Sequence, residues 1–157
     1  MSLSEVNFFQ AERIRSPIHF VKNNLYFLIL LIWLKKHLTM YELLFWRYLD
    51  EIYLNHHEVY ESLVEKEEVD GLEKLPVEVI LNRINSVFSK WERVDENSWK
   101  NTEGKGAFQV ITTPQSVKID CYGTEGKTMN QLVDVMAEFK CPLYDPQVPE
   151  RYDEMSE

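Results

Sequence analysis

The chain has 157 residues, 45% of them hydrophobic and 13% aromatic, with a formal charge of −9. That suffices for one well-packed domain with an appended segment, and it argues against a protein that grips nucleic acid phosphates. Residues 1–40 hold five basic and two acidic residues (+3), which leaves 12 basic and 24 acidic residues over 41–157 (−12). Such an acidic body attracts a basic partner.

Residues 1–16 are polar and unpatterned. Residues 25–34 (LYFLILLIWL) form an apolar run of ten, against about 20 for a helix that spans a bilayer. No small-residue cleavage site follows it; Lys35-Lys36-His37 does. Three readings of residues 1–39 stand side by side: a leader or upstream extension before a native start at Met40, a helix over 18–38 packed on the domain, or a membrane tether through 25–34. Residues 40–157 are expected to form a single α+β domain.

Residues 41–48 read as the first strand. Leu43, Phe45 and Arg47 lie on one side, and Glu42, Leu44, Trp46 and Tyr48 on the other; apolar residues on both faces suit a central strand. Asn55 is a plausible cap for a helix from His56 to about Lys66, with Val59, Leu63 and Tyr60 inward. Glu58, Glu61, Glu65, Glu67, Glu68, Asp70 and Glu73 then make an acidic band offset only by Lys66 and Lys74. It reads as a solvated surface or as a docking face for a basic protein.

Pro76 suits the first turn of a second helix, whose stripe is Val77, Ile80, Leu81, Ile84, Val87, Phe88 and Trp91. Residues 92–99 read as one strand, and 101–106 as a loop. Residues 107–112 and 117–122 alternate with period two around the break Thr113-Pro114-Gln115-Ser116, which predicts a hairpin. Thr128 with Gln131 predicts a capping box. The third helix then carries Met129, Leu132, Val133, Met136 and Phe139 on one stripe, with Lys140 in its last turn. Residues 141–144 read as a short strand, Tyr144-Asp145-Pro146-Gln147 as an exposed turn, and the residues from Val148 as a frayed acidic end. The fold class expected is α+β, with a mainly antiparallel sheet of four to five strands and about three helices on one face.

Chemical motifs are sparse. No glycine-rich phosphate loop or nucleophile elbow occurs. Cys121 and Cys141 lack metal spacing and read as reduced, half-buried thiols of a cytosolic protein. His57 and Glu61 share a helix face at i, i+4 and could hold one edge of a metal ion, but no third ligand is apparent, so neither metal nor cofactor is expected. Asp120 projects beside Lys118 and Tyr122; a surface ion pair explains it more simply than a general acid or base.

The segments YELLFWRY, GAFQVITTPQSVKIDCYG and MNQLVDVMAEFKCPLYDPQ together resemble a group of small acidic bacterial proteins of uncertain annotation. Some members of such groups are immunity proteins encoded beside polymorphic or contact-dependent toxins. The likeness covers residues 40–152 and transfers no functional residue. The charge and the absence of a catalytic constellation lead to the same expectation: a non-enzymatic, cytoplasmic immunity-type protein, monomer or homodimer, that binds a basic protein toxin and not nucleic acid. Glu65, Glu67, Glu68, Asp70, Tyr144 and Asp145 are the residues expected to meet that partner. A small enzyme using surface carboxylates and a membrane-tethered protein are the alternatives.

Overall fold

The computed structural model describes residues 40–153; all three readings of residues 1–39 lie outside them. The described chain is an α+β fold in the order β1 (Met40–Phe45), α1 (His56–Val64), α2 (Val77–Val87), β2 (Glu92–Asp95), β3 (Ser98–Lys100), β4 (Ala107–Thr113), β5 (Ser116–Tyr122), α3 (Gly126–Glu138), β6 (Leu143–Asp145) and β7 (Glu150–Arg151). One sheet runs β2-β3-β4-β5-β1-β6-β7, so the first strand is central, as its two apolar faces predict. The β2–β3, β3–β4, β4–β5, β1–β6 and β6–β7 pairings are antiparallel.

The sheet has seven strands, two more than the upper expectation, for local reasons at two places. Residues 92–99 are a hairpin, because Asp95 Oδ1 accepts from Asn97 N at 2.9 Å and turns the chain after Asp95. Over the described residues 148–153 the expected fraying gives way to a strand: Glu150 and Arg151 pair with Asp145 and Tyr144. Of the stretch expected as an exposed turn, Tyr144 and Asp145 are instead buried in β6, 0% and 5% exposed, and the turn begins only at Pro146. Gln147 explains this. Its side chain accepts from Glu42 N at 2.8 Å and donates to Glu42 O at 2.9 Å, standing in for the next rung between β6 and β1.

The helices do not share one face. Leu43 and Phe45 of β1 belong to a large core with Ile80 and Ile84 of α2 and Leu132 and Met136 of α3. Leu44 and Trp46, on the opposite pleat, belong to a second core with Val59 and Leu63 of α1 and Tyr144 of β6. Period-two alternation along β1 therefore feeds two cores, one on each side of the sheet. Outside the large core, Arg83 of α2 holds Glu138 of α3 in a two-point contact at 2.8 and 2.9 Å.

The caps follow the sequence only in part. Asn55 accepts from His57 N and Glu58 N, so α1 starts where expected. Helix α3 starts at Gly126, ahead of the expected capping box; Thr128 N already donates to Glu125 O, and Thr128 is buried in the first turn. At the other end, Lys140 N donates to Ala137 O and Cys141 N to Met136 O, the paired bonds of a Schellman ending. Lys140 is the left-handed residue of that ending, at φ 57, and not a last-turn cation. A residue with a Cβ is disfavoured there, so Lys140→Gly is expected to stabilise the domain by about 1 kcal/mol in chemical denaturation, whereas Lys140→Val is expected to weaken it.

One glycine is sterically fixed. Gly106 has φ +95, and a Cβ there would lie 2.7 Å from Gly123 O, so the backbones of the β3–β4 loop and the β5–α3 turn meet with no room for a side chain.

Candidate functional site

The acidic band forms the surface between α1 and α2. Glu58, Glu61, Glu65, Glu67, Glu68 and Asp70 are all exposed. None of Glu58, Glu65, Glu67, Glu68 and Asp70 makes a salt bridge to another described residue; Glu61 lies 3.4 Å from His57, and Glu73 pairs with Arg47 at 2.5 Å. The segment is pinned from beneath by Gln115, which is 6% exposed. Its amide accepts from Val69 N at 2.9 Å and donates to Val69 O at 2.9 Å and Leu72 O at 3.3 Å. Leu49 N donates to Gly71 O and Glu73 N to Arg47 O, both at 2.9 Å. The carboxylates of residues 65–70 thus stand on a braced loop. Beside them, Leu49, Ile52 and Tyr53 are exposed apolar side chains.

Of the residues expected to meet a partner, Glu65, Glu67, Glu68 and Asp70 share this surface. Tyr144 and Asp145 do not reach it. Tyr144 lies in the second core, with its ring 5.2 Å from Trp46 and 5.3 Å from Tyr60. Asp145 accepts from the Tyr41 hydroxyl and the Gln147 amide, and the first of these bonds, ahead of burial, pushes the Tyr41 phenol up to about 12. Both side chains are buried, and the Tyr144 hydroxyl lies 3.4 Å from His57 Nδ1.

A second cluster lies on the α1 side of the sheet, which carries alternate residues of β1 and β5. Lys118 Nζ lies 3.3 Å from each oxygen of Asp120 and 3.8 Å from Glu42 Oε2. The surface ion pair expected at Asp120 is therefore an enclosed one: the side chains of Lys118, Glu42 and Asp120 are 22%, 17% and 8% exposed. Burial raises both carboxyl pKa values above their ordinary range against the pull of Lys118, and the Asp120 charge raises that of Glu42 further. Burial and the Glu42 charge push the Tyr60 phenol of α1 up to about 12. Two carboxyls and one ammonium can bind a further cation or exchange a proton.

A carboxyl whose folded pKa is raised favours the fold while protonated, and that favour is lost as pH rises through the folded value. Asp120→Asn is therefore expected to match the parent below the ordinary carboxyl range and to become the more stable protein as pH approaches neutrality. Unfolding free energies measured across that range test it; a variant less stable at neutral pH contradicts it.

The C-terminal strand closes the second core with a buried cation. Arg151 is 6% exposed and donates to Trp46 O at 3.0 Å and to Asp153 at 2.6 Å. Its guanidinium sits 5.0 Å from the Trp46 ring centre and 4.6 Å from that of Tyr48. His56 touches Tyr48 and Tyr53 through its two ring nitrogens at 2.8 and 2.9 Å. Burial, and secondarily the charge of Arg151, lowers its pKa.

Cys121 and Cys141 are both buried and free, so the expected half-burial understates their enclosure; burial pushes the thiols up to about 12 and about 11. Among the described residues no group of three or more His, Cys, Asp or Glu could hold a metal ion, and no helix is long and apolar enough to cross a membrane. Glu42 and Gln115 were not singled out by sequence. A lone carboxylate in an apolar strand and a lone glutamine in a turn carry no local signal; only the placing of β1 beside β5 brings Lys118 to Glu42, and only the packing of residues 69–72 brings Gln115 its partners. No family model matches the chain, and no curated protein matches it.

Proposed function

We propose that this chain is an immunity-type binding protein that neutralises a basic bacterial toxin in the cytosol by protein–protein contact. The observation that carries the reading is the braced acidic loop. Its carboxylates lack salt bridges to other described residues, and the backbone beneath them is fixed by Gln115. Charge held on an ordered loop attracts a basic surface at long range and loses little entropy on docking. Leu49, Ile52 and Tyr53 supply adjoining apolar area, and an aromatic such as Tyr53 is a common anchor at interfaces.

The test is mixing of the purified chain with the basic protein that this reading expects from the neighbouring gene, followed by stopped-flow association kinetics at low and at physiological salt. A complex that weakens as salt rises is expected, with the triple variant Glu65→Lys, Glu67→Lys, Glu68→Lys losing most of its association rate. An unchanged association rate in the triple variant contradicts the reading.

A further inference from the structure

We propose that His56 is the catch of an acid-released latch. Its ring ties residues 49–54, in the loop between β1 and α1, to the chain just after β7, and frees that loop on taking a second proton. The latch is a property of the chain alone and does not need the function proposed above. On that function it also governs the apolar part of the binding face, because the loop carries Leu49, Ile52 and Tyr53.

The hydrogen-bond pattern is the first support. His56 Nδ1 lies 2.8 Å from the Tyr48 hydroxyl and Nε2 lies 2.9 Å from the Tyr53 hydroxyl. A neutral imidazole accepts at one nitrogen and donates at the other, so one hydroxyl gives its proton to the ring and the other receives one. Imidazolium donates at both nitrogens. Both hydroxyl protons must then turn away, that of Tyr48 to Leu54 O at 3.3 Å and that of Tyr53 to Asp153 Oδ1 at 3.5 Å, and both contacts are long. Charge is the second support. Among the described residues, the charged groups facing the ring from other elements are Arg151 and Asp153, and the titratable ones are Tyr48 and Tyr53. On its own helix the adjoining ionisable groups are His57, Glu58 and Tyr60. Arg151 already engages Asp153 at 2.6 Å, so an imidazolium competes with a guanidinium for one carboxylate. Burial, and then the charge of Arg151, accordingly lowers the His56 pKa against the pull of Asp153.

The loop itself is the third support. Glu51 holds φ 62, a left-handed conformation that is costly for a residue with a Cβ, so the closed loop depends on its anchors. At the near end Leu49 N donates to Gly71 O at 2.9 Å, and Ile52 lies over Gly71, where an added Cβ would come 2.8 Å from Ile52 Cγ2. At the far end the anchor is Tyr53, whose ring meets that of His56 edge-on at 4.8 Å. A histidine whose folded pKa is lowered favours the closed form while neutral, and that favour is lost as pH falls through the ordinary value of 6.5 toward the folded one. The latch is therefore shut at neutral pH and opens in mild acid.

The intact chain is followed by NMR from about pH 8 to about pH 5, across the histidine range. Ring signals give the titration of His56, and heteronuclear NOEs at the amides of 49–54 give the order of the loop. The loop is expected to lose its order with the same midpoint as His56, below the ordinary histidine value, while the amides of α2 and α3 stay ordered throughout. His56→Gln, which keeps a donor and an acceptor but takes no charge, is expected to hold the loop ordered at the acid end. Tyr53→Phe, an exposed change that removes only the hydroxyl link, is expected to leave the loop disordered at the neutral end. An acid transition that survives unchanged in His56→Gln, or a parent loop that stays ordered once His56 is charged, overturns the latch. A Tyr53→Phe loop as ordered as the parent's at neutral pH also overturns it. Partner binding enters none of these readouts, so the latch and the proposed function fail separately.

Discussion

Trp46→Ala is expected to remove about 4 kcal/mol of stability, from the usual range for deleting a buried tryptophan. Trp46 is 0% exposed and is the hub of the second core. Its ring touches Tyr48 and Tyr144 and underlies the Arg151 guanidinium, while its carbonyl accepts from Arg151. Truncation leaves a cavity and removes the ring on which a buried cation rests. A domain of this size has about 5–15 kcal/mol in total, so the variant stays folded with little reserve. Because two cores lie on opposite faces, the damage is expected to be uneven: amides of α1, β6 and β7 lose exchange protection before those of α2 and α3. Hydrogen exchange followed residue by residue checks this. Equal loss everywhere would mean that the two cores unfold as one.

Lys118→Met is expected to cost about 3 kcal/mol at neutral pH, the low end for breaking a buried ion pair because Lys118 is 22% exposed. The variant leaves Glu42 and Asp120 with no cation. The penalty is therefore expected to shrink as pH falls and the two carboxyls take up protons, whose uptake their raised pKa values favour. Adding Asp120→Asn and Glu42→Gln is expected to restore most of the loss, since no charge then remains without its counterpart. Denaturant unfolding of the single and triple variants at neutral and acidic pH reads both effects. A Lys118→Met protein as stable as the parent would mean an ordinary surface pair, which contributes little.

Much of the architecture was legible because it rests on periodicity and caps. The stripe of α2, the alternation of β4 and β5, the Asn55 cap and the two apolar faces of β1 each reflect local chemistry that the sequence carries in full. What failed depended on distant partners. The hairpin at Asp95–Ser98 hangs on one side-chain bond to Asn97 N. The strand at Arg151 exists because Trp46 and Tyr48, a hundred residues away in the chain, stack on a cation that composition alone assigns to water. Tyr144 and Asp145 read as exposed because Pro146 signals a turn; the turn is there, over 146–149, but the strand before it pairs with β1 and β7, and the Gln147 side chain ties the turn back to Glu42. The acidic loop was visible as composition, whereas its bracing by Gln115 and the Glu42–Lys118–Asp120 cluster are products of strand order.

Binding of the basic protein that the proposed function expects from the neighbouring gene, followed as affinity against salt for the parent and the Glu65→Lys, Glu67→Lys, Glu68→Lys variant, probes the proposed role most directly. Steep weakening with salt in the parent, and a shallow slope with much weaker binding in the variant, is the outcome required of an acidic face that captures a basic toxin. No complex with the parent even at low salt, or one that responds neither to salt nor to charge reversal, would contradict it.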